Sequence, residues 1–135
     1  MNRNLIICLV SLLFVFSACR KNGKCSDDQS EGKLNGTWEL RSVVGGFSGG
    51  KTYPDGNGNI IKFEGSTYTR YTNGQQYSQG SFTISKEIFP ENNKVMDKLK
   101  SLDGAEVFVE ITSNILTIYH GSIAADGTRS TYARK

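Results

Sequence analysis

The stretch Ser66-Thr-Tyr-Thr-Arg-Tyr-Thr-Asn-Gly-Gln-Gln-Tyr-Ser-Gln-Gly-Ser-Phe-Thr-Ile84 decides the fold. Asn73-Gly74 at its middle is the strongest hairpin signal in the chain, because a type I′ turn needs positive φ at both central residues. The arms, residues 66–72 and 75–84, read as strands joined by that turn. Gly80 in the second arm suggests a bulge or bend, as where a strand curves round a barrel.

Working outward, period two continues on both sides. Residues 59–64 carry Ile61 and Phe63 inward, with Lys62 and Glu64 outward. Thr37-Trp-Glu-Leu-Arg-Ser-Val-Val44 alternates and places Trp38, Leu40 and Val44 on one face. Between these runs, Gly45-Gly46, Gly49-Gly50 and Tyr53-Pro-Asp-Gly-Asn-Gly58 make a long flexible connection. Downstream, Ile88 and Phe89 fit a short strand ending at Pro90. Residues 94–102 have Val95, Leu99 and Leu102 at helical spacing, which predicts a short helix or helical turn. Val107, Val109 and Ile111 then alternate with Glu106 and Glu110. Ser113-Asn114 makes a tight turn in which Asn114 can take left-handed geometry. Leu116 and Ile118 share a face, and Asp126-Gly127 turns the chain into a last strand, residues 128–134. Seven or eight short sequential strands stack as a sandwich or close as an up-and-down barrel. Patterning alone leaves both open, although closure removes exposed edges and can enclose one small ligand.

The N-terminus has a different character. Met1-Asn2-Arg3-Asn4 precedes an apolar run from Leu5 to Phe16, then Ser17-Ala18-Cys19. A short basic start, an apolar run and small residues at the cut describe a secretory signal. A transmembrane helix needs about 20 residues, so this run is too short to span. Phe16-Ser17-Ala18-Cys19 resembles the bacterial lipobox, with Phe16 where Leu or Val is usual. The expectation is a signal over residues 1–18, with Cys19 lipidated and carrying enough acyl chain, palmitate included, for stable membrane anchoring. Residues 19–33 read as a flexible polar tether. Cys8 leaves with the signal, so Cys25 has no partner for an internal disulfide, and nothing near it would lower its pKa. Arg20 after Cys19 lacks the aspartate that favours inner-membrane retention, and Ser26-Asp27-Asp28 weakly resembles acidic export tags of Bacteroidetes surface lipoproteins. The expected address is the cell envelope at the outer membrane, periplasmic or surface-facing.

Removing residues 1–18 takes away Arg3 and lowers the net charge from +3 to +2. That balance offers no electrostatic footprint for nucleic acid. The remainder, residues 34–135, suffices for one modest domain.

Leu34-Asn-Gly-Thr-Trp-Glu-Leu40 looks like the opening of a lipocalin-like (calycin-like) domain, whose first strand begins Gly-x-Trp, here Gly36 and Trp38. The chain is similar in particular to short lipocalin-like lipoproteins of the Bacteroidetes type, which share a lipobox, a polar tether and a Tyr-x-Arg ending, here Tyr132-Ala-Arg134. The resemblance implies an all-β, up-and-down antiparallel barrel of about eight strands over residues 34–135. It also implies that Arg134, or else Arg129, packs over Trp38, a contact worth about 0.5–2 kcal/mol. The domain is much shorter than a typical lipocalin, which puts a deep cavity in question.

No catalytic constellation emerges. His120 is the single histidine and lacks the partners that a zinc site or a nucleophilic triad requires. Glu106 and Glu110 share the face opposite Val107 and Val109, as solvated residues do. Asp55, Asn57 and Asn59 alternate like calcium ligands, but Ile60 and Ser66 stand where the EF-hand needs glycine and glutamate. No cofactor and no metal is called for. Most of the aromatics, among them Phe63, Tyr68, Phe82 and Tyr132, are expected in the core. Arg70 shares strand parity with Tyr68. If Tyr68 faces inward, Arg70 also points inside, where it would suit an acidic amphipathic ligand. The usual exposure of arginine favours solvent instead. The expected function is non-enzymatic binding of a small amphipathic or hydrophobic ligand, with Tyr68, Arg70, Phe82, His120 and Tyr132 as candidate ligand contacts. The alternative is a filled barrel whose surface binds or inhibits an envelope protein. Cavity volume separates the two, since a binder needs roughly 300 Å³ or more.

Overall fold

The computed structural model describes residues 28–46, 49–121 and 126–135. The expected signal segment, Cys19, Cys25 and the start of the tether lie outside the described residues. A short helix, α1 (Asp28–Leu34), precedes nine strands: β1 (Gly36–Gly45), β2 (Lys51–Thr52), β3 (Ile60–Glu64), β4 (Thr67–Thr72), β5 (Gln75–Phe89), β6 (Lys94–Ser101), β7 (Glu106–Thr112), β8 (Ile115–His120) and β9 (Thr128–Arg134). Neighbours pair antiparallel from β3 through β9, and β1 pairs with both β3 and β9. The result is a closed eight-strand barrel with β2 as one extra strand beside the end of β1. Closure leaves the barrel strands without free edges, and it decides between sandwich and barrel.

The turn chemistry sets much of the register. Asn73 and Gly74 have φ of 50° and 78°, as a type I′ turn demands. In the β7–β8 turn the positive φ falls on Ser113, at 55°, and not on Asn114. Gly80 is not the bulge. The extra residue in β5 is Tyr77, because Arg70 pairs with Ser78 while Tyr71 pairs with Gln76. Gly80 sits opposite Tyr68 instead, and a Cβ there would lie 2.8–3.0 Å from the phenol. A second bulge, at Arg41, shifts the β1–β9 register between Leu40 and Ser42. It turns the following residues over, so Val44 is 40% exposed and does not share the buried face of Trp38 and Leu40.

The expected helix at 94–102 is strand β6. Its residues pair one for one with Phe82–Phe89 and then with β7. Leu99 is buried beside Ile84 and Val107, whereas Val95 and Leu102 are 66% and 82% exposed. The three apolar residues therefore do not form one face, and the helical spacing is coincidental. At the other end, residues 28–33, read as tether, are helical. Leu34 is buried in the main core with Trp38, Ile61, Phe63, Phe82, Leu99, Val109, Leu116 and Ile118. Ser30 donates to Asp97 at 3.0 Å and accepts from Lys86, fastening α1 to β5 and β6.

Arg134 lies over the Trp38 indole, its guanidinium carbon 4.1 Å from the ring centroid, and donates to the carbonyls of Asn35 and Lys33. The Trp38 ring N–H donates to Leu34 O at 2.8 Å. Gly36 has φ of 132°, and a Cβ there would come within 2.6 Å of Arg134 Nη1. The Gly-x-Trp and Arg positions thus form one cluster where β1 begins.

Candidate functional site

Inward parity is read directly from the ladders. Ile61 pairs with Arg70 and Phe63 with Tyr68, so Tyr68 and Arg70 point to the same side as two buried core residues. Arg70 faces the interior, against the usual preference of arginine for water. Its guanidinium carbon is 5.1 Å from the Tyr68 ring centroid. No acidic group lies within ion-pair distance of it among the described residues.

Around Arg70 the interior divides into two chambers. The larger is about 400 Å³ and is lined by Leu40, Tyr53, Asn59, Ile60, Ile61, Arg70, Tyr71, Thr72, Tyr77, Ile118, His120 and Tyr132. The smaller, about 80 Å³, lies between Ile61, Phe63, Tyr68, Phe82, Leu99, Val107 and Ile118, with Ser101, Asp103 and Ala105 from the β6–β7 turn. Ile61, Arg70 and Ile118 line both and form the partition. All five candidate contacts are brought together here: Tyr68 and Phe82 in the small chamber, His120 and Tyr132 in the large one, and Arg70 in both. The fold therefore leaves room inside despite its short strands.

The electrostatics are one-sided. Burial pushes the His120 imidazole below its ordinary pKa, and the Arg70 charge pushes it further. Near pH 7 it is neutral. Burial pushes the Tyr132 phenol up, so it too is uncharged and can donate a hydrogen bond. Asp103 is the single carboxylate lining either chamber. The Ser101 hydroxyl and the Ala105 N–H donate to it and hold its pKa down, with the Arg70 charge a smaller influence.

Sequence reasoning missed Tyr53, Asn59 and Asp103 as lining residues, since each lies in a connection that only barrel closure brings beside the chambers, Asp103 at an exposed rim. Tyr53 is placed by a pinned loop. Its N–H donates to Arg41 O at 2.8 Å, while Asn57 donates to Leu40 O and Pro54 O. Asp55 pairs with Arg41 at 2.9 Å, and the same guanidinium reaches Glu39 at 2.7 Å. The alternating Asp55, Asn57 and Asn59 thus fasten a loop. Phe108 and Tyr119, by contrast, lie with Phe89 in a tilted ring cluster, centroids 5.0 and 4.9 Å from Phe89, apart from the two chambers. The chain matches no family model, no curated protein and no solved structure.

Proposed function

We propose that this chain is an envelope lipoprotein whose barrel binds a small, partly apolar ligand and catalyses no reaction. The observation that carries the binding is the chamber of about 400 Å³, which falls within the range of about 300–1,000 Å³ occupied by small-molecule sites. Its wall balances aliphatic and tyrosine ring surface with polar groups, Arg70 and His120 among them, which suits a ligand that is only partly apolar. The anchoring rests on the sequence, namely the basic start, the apolar run and Phe16-Ser17-Ala18-Cys19.

Two experiments test the two halves. Full-length protein purified gently from its own cells should carry a reproducible added mass in native mass spectrometry, lost on denaturation. A clean unliganded mass that also fails to take up added amphiphiles would sink the binding half. For the anchor, cells fed an alkyne-bearing palmitate should label the wild-type chain and leave Cys19→Ala unlabelled. Equal labelling of both would remove Cys19 as the lipid site.

A second reading, docking to an envelope protein, draws on the β5–β6 hairpin. Ile88 and Val95 stand opposite each other there, both more than 60% exposed. A photocrosslinker at Ile88 that captures one discrete partner in cells, together with an empty barrel, would favour it.

A further inference from the structure

The position of Arg70 narrows the ligand class, on the premise that the barrel binds a small molecule. We infer that the ligand carries a compact anionic head, a carboxylate or phosphate, which Arg70 holds at the partition between the two chambers, while its apolar body fills the tyrosine-lined larger chamber.

Three observations lead there. First, parity fixes Arg70 inside, opposite Ile61 and Ser78, so the guanidinium is directed at the interior. A half-buried guanidinium that faces the interior without an ion-pair partner is favoured by a counter-charge or further hydrogen bonding. The Tyr68 ring against which it lies offers a π face but no oxyanion to pair with its guanidinium fork. Second, the one carboxylate that lines either chamber is an exposed rim residue and is engaged elsewhere. Asp103 lines the small chamber, accepts from Ser101 and Ala105, and makes no ion pair with Arg70. Third, the groups facing Arg70 from β8 and β9, His120 and Tyr132, are neutral hydrogen-bonding side chains, not competing anions. They supply additional donors for an oxyanion at the same place. The size also fits. The small chamber, about 80 Å³, is too confined for an amphiphile's body, so the body occupies the chamber of about 400 Å³.

Carboxylate and phosphate share this recognition chemistry, and the test separates them. Octanoate, octyl phosphate, octanol and octylammonium have the same tail and different heads. Each is titrated into the full chain, with binding followed by the ¹⁵N shifts of the arginine Nε–H groups and by calorimetry. A charge-assisted forked contact predicts that at least one of the two anions binds about tenfold or more tighter than octanol, with octylammonium weakest. Whichever anion binds tighter identifies the head. Arg70→Met should abolish the anion preference, so that octanoate and octyl phosphate bind no more tightly than octanol to that variant. Arg70→Lys should retain part of it, because a point charge survives while the fork is lost.

If Arg70→Met does not fold, the wild-type spectrum alone decides, since the Arg70 Nε–H must move with the anions and stay with octanol. Equal affinity for all four heads, or a preference that survives Arg70→Met, overturns the inference while leaving the binding reading standing. Failure of every probe to bind overturns both.

Discussion

Glu39 is a carboxylate in an unusual position: 1% exposed, on the opposite face of β1 from Trp38 and Leu40, and covered by the 53–57 loop. Burial works to raise its pKa. Hydrogen bonds from Arg41 and the Gly56 N–H, with the Lys135 ammonium 3.3 Å away, outweigh that effect and hold the carboxyl at about 2. An unfolded chain releases that support, so the group titrates there near its ordinary value of 4.5. The stabilisation it gives is complete above that value and is lost as pH falls from about 4.5 toward 2. Chemical denaturation of the wild type should therefore show an acid decline across that window, and Glu39→Gln should flatten it. Glu39→Ala should cost about 1–3 kcal/mol at pH 7, because it leaves Arg41 and the Gly56 N–H without their shared acceptor. A Glu39→Gln protein with an unchanged acid profile would show that the cluster contributes nothing. None of this was visible in the sequence. Glu39 reads there as an outward residue of an alternating strand, and only the loop folding back across β1 buries it.

The β3–β4–β5 unit was the most legible element, because an Asn-Gly turn and period-two patterning act locally and need no tertiary context. Its inward parity carried Tyr68 and Arg70 together, and parity placed Arg70 inside where average arginine exposure pointed to solvent. Two neighbouring features were illegible for the opposite reason. The bulges at Arg41 and Tyr77 invert parity without any glycine to announce them. Strand β6 buries apolar residues on both faces, Met96 on one and Leu99 on the other, so its pattern imitates a helix. Gly80 shows how residue and element connect. Its missing side chain admits the Tyr68 ring, which in turn lies beside Arg70. Gly80→Ala should force that ring aside and cost about 1–3 kcal/mol by overpacking. In a Tyr68→Leu background most of that cost should vanish, since the ring that clashes is gone. Urea midpoints of the four proteins in the cycle decide the matter, and an additive outcome would rule out the clash.

At the scale of the whole molecule, the Trp38–Arg134 cluster and the two chambers occupy different parts of the barrel. Where β1 begins, Arg134 covers Trp38, bonds the Asn35 and Lys33 carbonyls and so joins β9, β1 and α1. None of these residues lines either chamber. Closure of an eight-strand barrel depends on its last pairing, β1 with β9, and Arg134 stands opposite Trp38 at the end of that ladder. Removing its side chain loses a cation–π contact and two charge-assisted hydrogen bonds. Arg134→Ala should therefore lower stability by about 2–4 kcal/mol, seen as a fall in the urea midpoint with an unchanged slope. Arg134→Lys should recover only part, as an ammonium cannot stack on the indole while reaching both carbonyls. Below the unfolding transition both variants should bind the octyl probes as the wild type does. If Arg134→Ala weakened anion binding while the barrel remained folded, the two ends would be coupled through the strands. Arg70 would then depend on how the barrel closes, and the division between a structural end and a binding end would fail.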